Sequence, residues 1–192
     1  MAIRVKSKWH KTGNERSPQQ AATVIASLIW RIGEERTTHM QQDHFEVSSM
    51  EQGFAMLREY LAFFIQHTDR FLYQRVDDEY RAALVNAMAK RIAEIWEDNL
   101  NQYFGQREEG YQQRFIEFLN ERLTDYATFD YENGEPAYPC RRFLGGNILE
   151  CMPKRDHSWT IDQVVEIEIP AAFALLNKGL SGFFAEGSGT LG

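Results

Sequence analysis

The stretch from Asp77 to Gly105 constrains the fold more than any other part of the chain, because it reads as one long amphipathic helix with both ends marked. Tyr80, Leu84, Met88, Ile92, Ile95, Trp96, Leu100 and Tyr103 recur every three or four residues, while Arg81, Lys90, Arg91, Glu94, Glu97, Asp98 and Asn101 fill the other side. Asp77, Asp78 and Glu79 put negative charge where a helix start exposes unpaired N–H groups. Gly105 can adopt the left-handed conformation that closes a helix. An apolar stripe of about seven turns must be covered by other elements. The expectation is an all-α protein, a single domain built as an irregular bundle of about six to eight helices.

Other segments carry similar signals. Ser17-Pro18-Gln19-Gln20 combines a capping serine, a proline suited to the first helical position and a glutamine able to complete a capping box. With Ala21, Val24, Ile25, Leu28, Ile29 and Ile32 behind it, this predicts a helix over 18–36 that ends around Thr37 or a little later. Thr37 to Val47 is polar without a period and reads as a connecting loop. Ser48 with Glu51 offers a second capping box ahead of Phe54, Leu57, Leu61, Phe64, Ile65 and Phe71, which predicts a helix over 50–70 buried along one side. Gln106 to Gly110 suits a tight link between antiparallel neighbours, and Tyr111, Phe115, Phe118, Leu119, Leu123 and Tyr126 mark the next helix, over 109–129.

Asn133-Gly134, Pro136 and Pro139 are the strongest turn punctuation in the chain and predict a long irregular segment over 131–140. Arg141 to Met152 is expected to be helical, with Gly145-Gly146 able to split it. Val165-Glu166-Ile167-Glu168-Ile169 alternates like a strand, yet no partner strand is visible, and a lone strand leaves its backbone unsatisfied. Helix is the expectation there, capped by Thr160 with Gln163, and Pro170 starts a fresh helix or kinks the old one. The organisation is then a basic arm over 1–16, a helical domain over 17–184 and a flexible tail over 185–192.

Arg4, Lys6, Lys8, Lys11 and Arg16 stand against Glu15 alone in the arm, so the rest of the chain is more acidic than the net charge of -7 implies. An acidic body repels phosphate backbones and argues against nucleic acid as a partner; the arm alone would hold a polyanion. Its plainer reading is a solvated leader. No run of about 18 apolar residues suggests a membrane span, and no apolar segment follows the basic N-terminus as in a secretory signal, so a cytoplasmic protein is expected. Two cysteines in 192 residues make no disulfide framework.

Four groups are candidates for chemistry. Glu35, His39, Asp43, His44 and Glu46 hold ligand types suited to zinc, iron or manganese, and Glu35, His39 and Asp43 fall one turn apart if the first helix extends. The plainer reading is a solvated polar loop, and the chain has no Glu-x-x-His motif of the di-iron type. His67 shares a helix side with Tyr60, Phe64 and Phe71; burial there would favour its neutral form, as a base in a pocket or as a core histidine bonded to a backbone carbonyl or tyrosine. Cys140 stands before Arg141 and Arg142 at a helix start, which would make a thiol reactive, although an inert buried cysteine is the commoner case. Cys140, Cys151 and His157 match no common zinc spacing and lack a fourth ligand.

The chain has no dinucleotide, phosphate-loop or hydrolase-elbow motif, so no cofactor and no catalytic residue is assigned. Thirteen Phe, eight Tyr and four Trp give a core with large flat side chains, and some are expected at a subunit interface. The expected function is a non-catalytic interaction or assembly protein, forming a homo-oligomer such as a homodimer. The alternative is a ligand-binding or metal-dependent helical protein with a pocket between helices, in which His67, Tyr60, Trp96 or the His39 cluster would supply the polar groups.

Overall fold

The structure is a computed structural model that describes residues 17–43, 45–73, 75–107 and 110–186, the side chain of Glu186 excepted. The basic arm and the last six residues of the expected tail lie outside the described residues. Among the described residues the architecture is all-α: α1 (Pro18–Gln42), α2 (Met50–Leu72), α3 (Asp78–Phe104), α4 (Tyr111–Tyr126), α5 (Tyr138–Glu150), α6 (His157–Gln163) and α7 (Ile169–Glu186). A π turn over Val164–Glu168 joins α6 to α7. The one sheet is a minimal hairpin, β1 (Tyr131–Glu132) paired antiparallel with β2 (Glu135–Pro136).

Local chemistry accounts for most boundaries. Ser17 and Gln20 close the expected capping box on α1, with Pro18 behind the cap. Asp77 caps α3 through the Tyr80 N–H, and Gly105 ends it at φ 76°. Gly110 opens α4 at φ 57°, a conformation that favours glycine. Asn133 and Gly134 both have positive φ, as a two-residue hairpin turn requires, so part of the segment expected to be irregular is a β-hairpin.

Three expectations are corrected. Helix α1 does not end near Thr37 but runs to Gln42, because Met40 reaches the core and is fully buried. The cap of α2 is Ser49, which accepts from the Gln52 N–H, while Ser48 donates its own N–H to the Gln52 side chain. Thr160 does not cap a helix; it lies within α6, buried, and its hydroxyl donates to the Asp156 carbonyl. The segment over 165–169 is helical as expected, but wider than an α-helix: the Ile169 N–H reaches back five residues to the Val164 carbonyl. Pro170 gives the reason, since its ring would crowd the carbonyl four residues before it in a regular helix.

Helix α2 is the axis of the molecule. Every residue from Glu59 to Thr68 is buried, so this helix is enclosed all round rather than along one side. It packs against α1, α3, α4 and α5. Large side chains from every helix but the short α6 merge into one hydrophobic cluster. The rings are mostly spent on one another: Phe63 stacks on Phe173 at 5.5 Å, Phe54 meets Trp96 edge-on at 5.4 Å, and Tyr126 meets Phe143 at 5.3 Å. No helix among the described residues is long and apolar enough to cross a membrane.

Candidate functional site

Extending α1 by a turn and a half brings His39 and Asp43 onto one helix side, four residues apart. The π turn brings Glu168 to meet them. His39 Nδ1 lies 2.8 Å from Glu168 Oε1 and 3.5 Å from Asp43 Oδ2. One ligand-type atom from each of the three lies within 4.8 Å of the others, the one such group among the described residues. Glu168 is fully buried, whereas His39 and Asp43 face solvent in part. A carboxylate only accepts, so His39 Nδ1 carries a proton in this arrangement.

Burying Glu168 requires partners, and it has them. Arg36 Nη1 lies 3.3 Å from Oε2, and Gln163 Nε2 donates to Oε1 at 2.9 Å. The same Gln163 nitrogen donates to Asp43 Oδ2 at 2.8 Å. One amide N–H₂ group thus bridges two carboxylates beside an imidazole, in the position a cation would take. Behind the cluster Tyr60 is buried and donates to Met40 Sδ at 3.3 Å. Burial first, then the Glu168 carboxylate, hold its phenol well above the usual tyrosine range.

The rest of the expected cluster goes elsewhere. Glu35 pairs with Arg36 at 2.6 Å, and Glu46 pairs with Arg155 at 3.1 Å. His44 lies outside the described residues. Glu168 was not among the expected ligands; its only sequence signal is a carboxylate inside an apolar run just ahead of a proline.

His67 is fully buried and stacks on Phe173 at 4.0 Å. Its partner is neither a carbonyl nor a tyrosine but Asn177 of α7, whose Oδ1 lies 2.8 Å from Nε2. The amide oxygen accepts, so Nε2 carries the proton and Nδ1, a buried acceptor, has no partner. Burial lowers its pKa to about 4, so the ring is neutral at neutral pH. Cys140 is buried, and burial pushes its thiol up to about 12 rather than down; Arg70 opposes this only in part. Cys151 is pushed up to about 11 and donates to the Asn147 carbonyl, while His157 bonds the Met152 carbonyl. Cys140, Cys151 and His157 do not form a ligand group.

The expected Tyr60 and Trp96 pocket is filled by the core, as both side chains are buried. Two concavities lie elsewhere: an open groove of about 880 Å³ beside Arg70, Arg75 and Tyr131, and a smaller cavity of about 240 Å³ between the hairpin, α5 and α7. The chain matches no protein-family model, no curated protein and no solved structure.

Proposed function

We propose that this protein is a metal-dependent helical protein that binds one divalent transition-metal ion through His39, Asp43 and Glu168. The observation that carries the reading is the convergence of an imidazole and two carboxylates from two distant parts of the chain, one carboxylate fully buried. One nitrogen and two oxygen donors suit zinc, manganese or ferrous iron better than calcium, which prefers oxygen alone. Three protein ligands leave a coordination position for water or a substrate, as in catalytic rather than structural sites. Binding would require His39 to present the Nδ1 lone pair and the Gln163 amide to turn away.

The test is titration of metal-stripped, full-length protein with Zn²⁺ and Mn²⁺, followed by calorimetry and thermal unfolding. One equivalent is expected to bind, and metal at a hundred times Kd should stabilise the fold by about 2.7 kcal/mol. His39→Ala and Asp43→Asn should each remove that stabilisation. Equal stabilisation of the variants, or none of the parent, refutes the proposal.

A homo-oligomeric assembly protein is the second reading, favoured by Trp159, which is 70% exposed on α6. Tryptophan so exposed is unusual in a monomer and common at the centre of interfaces. Light scattering should then show a dimer that Trp159→Ser dissociates; a monomer at all concentrations counts against it. We infer a cytoplasmic location, supported by both cysteines being unpaired.

A further inference from the structure

Gln163 closes α6, and its side chain reaches across to the His39 cluster. The amide nitrogen lies 2.8 Å from Asp43 Oδ2 and 2.9 Å from Glu168 Oε1, the same two carboxylate oxygens that face His39 Nδ1. The reversed amide would set its oxygen against two acceptors, so N–H₂ is the end that chemistry places there. Two donor hydrogens for two carboxylates make the group a neutral stand-in for a small cation, and hydrogen bonds to ionised acceptors are the strong ones. Glu168 does not depend on this contact to be buried. Arg36 holds its Oε2 at 3.3 Å, and His39 meets its Oε1 at 2.8 Å. Asp43 faces solvent in part, so its charge needs no partner from the protein.

A transition-metal ion bound to those two oxygens sits about 2.0–2.2 Å from each, closer than the amide nitrogen, and the two cannot share the place. We propose that Gln163 is a built-in competitor of the metal: its amide holds Asp43 and Glu168 together in the metal-free protein and is displaced when the ion binds. This regulation of the site, which rests on the metal reading above, follows from population. Only protein with the amide turned away is competent, and the apparent Kd rises in proportion as that fraction falls. Gln163 thereby raises the free-metal concentration at which His39, Asp43 and Glu168 fill.

The experiment is calorimetry and thermal unfolding of the full chain with Mn²⁺, on the parent, Gln163→Ala and Gln163→Met. Both variants lack the two donors, and Gln163→Met keeps the length of the side chain, which keeps the test decisive if Gln163→Ala folds poorly. Each should bind Mn²⁺ about tenfold more tightly than the parent or better, a gain of about 1.4 kcal/mol. Stripped of metal, each should unfold at a lower temperature than the parent. Saturated with metal, each should match the parent, because the loaded parent no longer makes the two bonds. A side chain that only packs α6 against the cluster would lower both temperatures alike and leave the affinity unchanged, and that result overturns the proposal. Weaker binding by both variants overturns it too, since Gln163 would then be a ligand through its amide oxygen. Failure of the parent and both variants to bind Mn²⁺ refutes the metal reading and this competitor with it, whereas binding by the parent with no gain in the variants refutes the competitor alone.

Discussion

Glu59 stands apart from the His39 cluster, and the enclosed helix α2 carries its carboxylate into the core. Arg122 meets it in a paired geometry, Nε to Oε2 at 2.8 Å and Nη2 to Oε1 at 2.9 Å. Removing one member of such a pair strands a buried charge, whereas replacing both with apolar groups does not. Arg122→Met is therefore expected to lose about 3 kcal/mol in urea unfolding, and Glu59→Leu combined with Arg122→Met markedly less. His67 yields a prediction in pH. Its folded pKa of about 4 lies below the free value of 6.5, so between those values the unfolded chain binds a proton that the folded chain refuses. Stability from this group is full above about pH 6.5, falls as pH drops towards 4, and loses up to about 3 kcal/mol across that window. His67→Phe should flatten the pH dependence of unfolding there, whatever its constant cost, and an unchanged slope would contradict the assignment.

At the level of the helices, Gly145 and Gly146 separate packing from propensity. A Cβ on Gly145 would meet Ile161 of α6 at 3.3 Å and its backbone Cα at 3.4 Å, while one on Gly146 meets nothing within 4 Å. The neighbours should therefore respond with opposite signs. Gly146→Ala is expected to stabilise by about 0.5–1 kcal/mol through helix propensity. Gly145→Val should cost about 1–3 kcal/mol by forcing α5 from α6, both read from denaturant midpoints. This pair also shows what the sequence discloses. Two adjacent glycines look like a break, and only the packed neighbour explains why the helix continues. Elements with a strong stripe and a chemical cap, such as α3 with Asp77 and Gly105, were legible from local signals alone. The end of α1 was not, because Met40 is held by tertiary burial in a polar stretch. Two of the three members of the cluster, His39 and Asp43, were legible through their spacing. Glu168 was hidden because the alternation over 165–169 mimics a strand, and the π turn that aims it depends on Pro170 and on the helices around it.

For the molecule as a whole, one hydrophobic cluster joins six of the seven helices, all but the short α6. Unfolding should be a single cooperative event, with helical circular dichroism and tryptophan fluorescence tracing coincident transitions. Two separated midpoints would show that α5 to α7 form a unit apart from α1 to α4. The π turn has a larger consequence. Glu168 belongs to the His39 cluster, while Ile169 and Pro170, the next two residues, line the smaller cavity. A single peptide bond separates the cluster from the cavity wall. Any rearrangement of the widened turn that suited an ion at the cluster would therefore also reshape that wall.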